Sequence, residues 1–248
     1  MNNFWGNKLT LPKNFIFGYG SIINDESRCN YNIPNNNLGN INNSINNSIN
    51  NQNNEIFNAI PARLSADLGY KRIWNFRCLT SKFTALGLEK VPKEKACTIN
   101  GVLYPILNDN LEYFDEREEG YDRIKIPNHL IESCCWINIP NYECNIYIYV
   151  PKKEHSHLPD HKYPYLQSYL DMCILGCLKY GTEYAKEFLE TTFCWNKFWL
   201  DDRILSRRPW VYQSNYKIID KLLKENQGVS GFYKNKKIET IMWNNSLS

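Results

Sequence analysis

Between residues 15 and 21 the chain runs Phe-Ile-Phe-Gly-Tyr-Gly-Ser. Three large apolar residues in a row read as the end of a buried strand. Gly18 and Gly20 bracket Tyr19, and with no Cβ at either position the backbone can turn sharply and come close to a ligand. Amide N–H groups freed at such a strand end can cradle an oxyanion or a carboxylate. Taken alone, the stretch reads first as an ordinary strand-to-turn junction. Its meaning depends on a second stretch about a hundred residues on.

The rest of the composition narrows the class. A chain of 248 residues is long enough for one large or two small domains, and no linker divides it. We therefore expect one domain over residues 1–248, interrupted by an insert at about 30–56 in which asparagine dominates. That insert has too little apolar surface to offset its ordering entropy, so disorder is expected there. It follows the glycine turn, and residues 22–56 read as a loop on the scaffold. A formal net charge of +3 is too small to indicate nucleic acid, and no basic run carries interleaved aromatics. The 17 tyrosines, 7 tryptophans and 11 phenylalanines predict a core or pocket rich in rings. The nine cysteines are odd in number and include no Cys-x-x-Cys. The first residues show no signal-peptide pattern, and no stretch is apolar for long enough to span a membrane. The expectation is a cytoplasmic protein with reduced, mostly buried thiols.

Strand patterns occupy 59–78, with a turn at 67–69, then 84–88, 97–106, 121–126, 134–139 and 144–150. Pro105 places the end of its strand at an edge or a bulge. After a polar loop at 151–164, helical spacing takes over. Residues 165–180 put Leu166, Tyr169, Cys173 and Cys177 on one stripe, and further helices start near Thr182 and Ser214. Between them, residues 195–210 form an aromatic, arginine-rich connection expected to build a lid or a homodimer contact.

The second stretch is residues 108–121, Asn-Asp-Asn-Leu-Glu-Tyr-Phe-Asp-Glu-Arg-Glu-Glu-Gly-Tyr. Asp109 or Asn110 can cap a short helix and Gly120 can end it. At about 100° per residue, Glu112, Glu116 and Glu119 share the wet face, while Glu118 falls with Leu111 and Phe114 on the apolar one. A carboxylate there is costly unless it is partnered or has a task. Asp115 lies at the boundary, where a structural hydrogen bond is the expectation.

A glycine-flanked Tyr-Gly-Ser followed at this distance by Asp-x-x-Glu resembles the γ-glutamylcyclotransferase-like family. The resemblance covers most of the chain. Phe17 to Ser21 is similar to its N-terminal loop, Ala62-Arg63-Leu64 to its second strand, and Asn100 to Tyr104 to the strand before its catalytic helix. Phe114 to Glu118 with Gly120-Tyr121 is similar to its acidic segment, with Glu118 at the catalytic position, and Tyr169 to its C-terminal substrate-binding tyrosine. The segment Ile22-Ile23-Asn24 departs from the Leu-Ile-Trp of the glutathione-specific branch.

The resemblance implies an α+β fold with a small barrel-like mixed sheet flanked by helices, mainly helical in its C-terminal half. It also implies cyclisation of a small γ-glutamyl substrate to 5-oxoproline with release of an amine. Glu118 would be the general base and acid, and Ile16, Phe17, Gly18, Tyr19, Gly20, Ser21 and Tyr169 would bind substrate. No metal, nucleotide, other cofactor or covalent nucleophile is needed. Two alternatives stay open: a γ-glutamylamine cyclotransferase or other acyl transferase, and a non-catalytic binding module. His155, His157 and His161 lack the carboxylate or cysteine partners of a metal site and are expected on a polar loop. Arg203, Arg207 and Arg208 could clamp a carboxylate, but pairing with Asp201 and Asp202 is expected.

Overall fold

A computed structural model describes residues 12–29, 59–106, 111–134, 139, 142–205 and 216–239. The asparagine-rich insert lies outside them, as do Arg207 and Arg208.

Strand β1 (Asn14–Gly18) is the centre of the molecule. Its residues are buried on both faces, which is why the sequence shows an unbroken apolar run instead of alternation. The period of two divides the run between two cores. Ile16 packs on one face with Trp74, Tyr149 and the helices. Phe15 and Phe17 pack on the other with Ile60, Leu103 and Ile146.

The remaining strands are β2 (Ile60–Leu64), β3 (Tyr70–Cys78), β4 (Phe83–Lys90), β5 (Ile99–Ile106), β6 (Tyr121–Ile126), β7 (Ile131–Ser133), β8 (Asn145–Pro151), β9 (Tyr165–Leu166), β10 (Thr192–Phe193), β11 (Trp199–Asp201) and β12 (Lys237–Ile238). The main sheet has the order β6-β8-β1-β5-β2-β7, with β1 parallel to β8 and its other neighbours antiparallel. Two three-stranded sheets, β10-β3-β4 and β12-β11-β9, complete the set. The fold is mixed α+β, but no sheet among the described residues closes into a barrel, because β6 and β7 end the main sheet as edges. Pro105 sits in β5 opposite Phe15, at a level where the pairing with β2 has already ended at Leu103, so among the described strands it has one neighbour and is locally at an edge, as expected.

Six helices are described: α1 (Asp25–Cys29), α2 (Leu111–Arg117), α3 (Gln167–Leu178), α4 (Thr182–Glu190), α5 (Tyr216–Glu225) and α6 (Ser230–Lys234). A 3-10 turn at Ser21–Ile23 and helix α1 stand where the sequence suggested only a loop. Ile22 and Ile23 are buried there, an apolar pair that the adjoining polar insert obscures. The strand expected over 134–139 falls mostly outside the described residues, and β7 ends before it.

Helix α3 is buried on nearly every side instead of along one stripe. Polar residues at its start are satisfied by the segment after β11. Asp202 accepts from the Ser168 amide (2.9 Å) and hydroxyl (2.6 Å). Arg203 pairs with buried Asp171 through two bonds of 2.7 and 2.8 Å and with Asp220 at 2.7 Å. Arg203 is therefore structural, as expected, but its side-chain partners are Asp171 and Asp220 and not Asp201 or Asp202. Burial opposes its charge, and the two carboxylates outweigh that and raise its pKa. The seven cysteines with described side chains are all free thiols, and Cys134, Cys144, Cys173 and Cys177 are buried.

Candidate active site

Where β1 ends, the chain turns through Tyr19 and Gly20 into the 3-10 turn. Gly18 and Gly20 both stand at close approaches. A Cβ on Gly18 would lie 2.5 Å from the Ile22 side chain, and one on Gly20 would lie 3.0 Å from the Tyr169 hydroxyl. The turn closes through Ile23 N–H to Gly20 O (3.0 Å) and Asn24 N–H to Ser21 O (3.2 Å). The first N–H groups of such a turn have no acceptor within it. Among the described residues, none accepts from the amides of Tyr19, Gly20, Ser21 or Ile22.

This loop forms one wall of a solvent-open cleft. Phe17, Gly18, Tyr19, Gly20 and Ser21 line it, with Glu118 and Tyr169 among the residues facing them. Seven of the eight site residues expected from sequence are thus brought together from three distant parts of the chain. The eighth, Ile16, is fully buried in β1 and does not line the cleft.

Glu118 follows α2 in a turn. Its amide still donates to Phe114 O (2.9 Å), and its carbonyl accepts from the Tyr121 amide (2.8 Å). Glu112, Glu116 and Glu119 are exposed and Phe114 is buried, so the helix is oriented as its periodicity predicts. The Glu118 side chain is 14% exposed. Arg117, itself almost buried, donates through Nε to Glu118 Oε1 at 3.0 Å and through Nη1 to Ser27 O on α1 at 3.3 Å. Among the described residues, nothing bonds to the other carboxylate oxygen, Oε2. Among the described residues, one oxygen of Glu118 is therefore held and the other has no partner.

Asp115 does not meet Glu118. It accepts from the Tyr149 hydroxyl (2.9 Å) and pairs with Arg123 (2.7 Å). Tyr19 in turn donates its hydroxyl to Tyr149 O at 2.6 Å. Burial, and next the charge of Glu118, hold the Tyr19 phenol well above its ordinary pKa. Burial and the Asp115 carboxylate do the same for Tyr149. Both phenols stay protonated at neutral pH, and neither can serve as a base.

Leu86, Tyr121, Tyr149 and Ile22 also line the cleft and were not among the site residues expected from sequence. Leu86 contributes its backbone. The Tyr121 hydroxyl donates to Leu86 O (3.0 Å), and the Leu86 amide donates to the Tyr169 hydroxyl (3.4 Å). Two tyrosines thus occupy the free edge of β4, opposite the register break between Trp74 and Phe76 in β3. Tyr121 is further fixed by stacking on Phe76 at 4.0 Å. The three loop histidines go separate ways. His155 stacks on Phe76, His157 contacts Glu154 O, and His161 packs edge-on against Phe198. No cluster able to hold a metal occurs among the described residues. No described helix is long and apolar enough to cross a membrane.

No protein-family model matches this chain, and no curated protein matches it significantly. Solved structures similar to it include an uncharacterized protein from Homo sapiens, with 15% identity, 84% of this chain and 96% of the other covered, and a TM-score of 0.45. Another is a gamma-glutamyl cyclotransferase, with 15% identity, coverage of 85% and 98%, and a TM-score of 0.45. A third is YkqA from Bacillus subtilis, with 15% identity, coverage of 73% and 54%, and a TM-score of 0.44.

Proposed function

We propose that the cleft binds a small γ-glutamyl compound and closes it to 5-oxoproline, releasing the amine. The observation that carries this is the pairing, in one cleft, of a nearly buried carboxylate with a loop of backbone amides, where one carboxylate oxygen and the amides have no partner among the described residues. The cleft opens to solvent, which suits a glutamyl group held by the loop with its leaving amine directed outward.

In the reaction the substrate's α-amino nitrogen attacks its own γ-carbonyl carbon. A carbon–nitrogen bond forms, the carbonyl oxygen takes negative charge, and the bond to the leaving nitrogen then breaks. The nucleophile is tethered, so folding the chain into the cleft supplies most of the proximity. Glu118 Oε2 takes the proton lost by the α-amine and returns it to the departing nitrogen. Arg117 keeps Oε1 fixed during both transfers. Loop amides stabilise the oxyanion, and Tyr121, Tyr149 and Tyr169 form the pocket around the glutamyl chain.

The test is 5-oxoproline release by purified protein from glutathione, γ-glutamyl amino acids and γ-glutamyl amines, beside Glu118→Gln. One class turned over, and lost in the folded variant, is the expected result. Turnover that survives Glu118→Gln removes the residue from the mechanism. Absence of turnover with all three classes rejects the reaction and leaves the binding module.

A further inference from the structure

Arg72, in β3, is wholly buried, and among the described residues no carboxylate pairs with it. A buried guanidinium without a counter-charge is costly unless every donor is met. Here the five N–H groups meet six neutral acceptors. Nε donates to Thr192 Oγ1 (2.8 Å). Nη1 donates to Asn100 O (2.8 Å) and Tyr19 O (3.1 Å). Nη2 reaches Asn100 Oδ1 (3.0 Å), Phe188 O (2.9 Å) and Thr191 Oγ1 (2.7 Å). The threonine hydroxyls spend their own protons on Glu187 O and Phe188 O, which leaves their lone pairs for the guanidinium. Phe188, Thr191 and Thr192 stand at the C-terminal end of α4, where the helix dipole is negative. A helix end replaces the missing carboxylate.

Only one of the six contacts reaches the cleft wall, and it has a geometric consequence. In a trans peptide, the C=O of one residue and the N–H of the next point in opposite directions. Arg72 draws the Tyr19 carbonyl inward, so the Gly20 N–H points away from the core. Gly20 lines the cleft, its own carbonyl is held by the Ile23 amide, and its N–H has no acceptor among the described residues. We propose that Arg72 is a positioning residue that aims the Gly20 N–H at the oxygen which gains charge in the cyclisation; this rests on the function proposed above. The Arg72 guanidinium behind that peptide further polarises it toward an anion.

Two measurements test this. In the ligand-free protein, the Gly20 amide should exchange with deuterium far faster than those of Phe15, Ile16 and Phe17. Exchange as slow as theirs would mean an internal bond and would overturn the proposal whatever reaction the protein performs. In the second, Arg72→Lys is compared with Arg63→Met, which breaks an ion pair whose two side chains do not line the cleft. Loss of an oxyanion donor costs about 100-fold or more in kcat, so a donor that is misaimed should cost at least about tenfold, with KM little changed. Arg63→Met should lose stability and keep its kcat. Equal kcat for folded Arg72→Lys and the native protein would show a structural role only. If Arg72→Lys does not fold, a backbone ester replacing the Gly20 N–H removes the donor alone, and unchanged kcat in that protein overturns the proposal. Should the native protein release no 5-oxoproline, the reaction proposed above has failed. The exchange rate, with the shift of the Gly20 amide resonance on titration with glutamate, then decides the aim of the peptide separately.

Discussion

Gly176 lies in α3, outside the cleft, yet the structure makes it a control point for the loop. A Cβ at this position would stand 2.8 Å from Asn24 N, 2.8 Å from Ile23 C and 2.9 Å from Asn24 Cα. All three are backbone atoms, so no rotamer change relieves the contact. Ordinary contact begins at 3.4 Å, and Gly176→Ala must therefore separate helix and turn by about 0.6 Å. Replacing a helical glycine by alanine gains at most about 1 kcal/mol, and overpacking of this kind costs about 1–3 kcal/mol. The net is a loss of up to about 2 kcal/mol, and for a chain of this size about 2–4 °C in Tm per kcal/mol. The turn cannot shed the displacement easily. Ile23 is fully buried, Asn24 Nδ2 donates to Met172 O on the same helix (3.2 Å), and the Ile23 amide binds Gly20 O (3.0 Å). The shift therefore reaches Gly20 and Ser21. Misplacement by 1 Å can cost about 100-fold in rate, so about half of that distance should cost roughly tenfold in kcat. The assay pairs thermal unfolding with steady-state 5-oxoproline release. A raised Tm with unchanged kcat would show helix propensity governing the site alone and would refute this account of the close approach.

Other outcomes follow from the same contacts. Tyr121→Phe should cost about 1 kcal/mol by leaving Leu86 O without its hydroxyl, measured by urea denaturation, and should raise KM more than it lowers kcat. The Arg63–Glu187 pair, with two bonds of 2.6 and 2.7 Å between half-buried side chains, should show a coupling of about 1 kcal/mol in a double-mutant cycle. Arg203→Ala should destabilise by about 3–5 kcal/mol, because it strands a buried carboxylate. That loss should be smaller at pH 5 than at pH 8. Burial already pushes Asp171 up to about 6, against the opposing pull of Arg203 and Gln167. A folded pKa above the unfolded value of about 3.9 means stability is fullest at low pH and falls as pH rises through the folded value. Removing Arg203 moves that window further up. Thermal melts of the variant across pH 5–8 check the sign, and a loss that grows toward low pH would contradict it.

The parts of this molecule that were legible in the sequence are those where residue type and local pattern disagree. Glu118 stood on the apolar side of a short amphipathic helix, and in the structure its side chain, just past the end of α2, is largely buried and paired with Arg117. The glycines around Tyr19 stood where a buried strand had no evident reason to stop, and both are held against neighbouring side chains. Helix α1 and the inward turn before it were lost for the opposite reason. They adjoin a long polar insert whose composition dominates any window drawn across the boundary.

Arg72 and Leu86 mark the limit of pattern. Lys71-Arg72 looks like two charges at the start of a strand, and the period of two sends one each way: Lys71 outward to Glu89 (3.1 Å), Arg72 inward. Nothing local says which of the two is buried, because the acceptors that make burial tolerable come from the loop after β1, from β5 and from the end of α4. Leu86 is an unremarked apolar residue in an apolar strand, and its contribution to the cleft is an N–H and a C=O on the free edge of β4. A site built by backbone atoms leaves no residue signature. It is visible only once the two tyrosines that cap that edge, Tyr121 from the strand after Glu118 and Tyr169 from α3, are seen to meet there. The consequence is that the Glu118 carboxylate and the loop facing it are tied through one strand edge. A substitution that widened this edge would separate Glu118 from Gly20 without touching either.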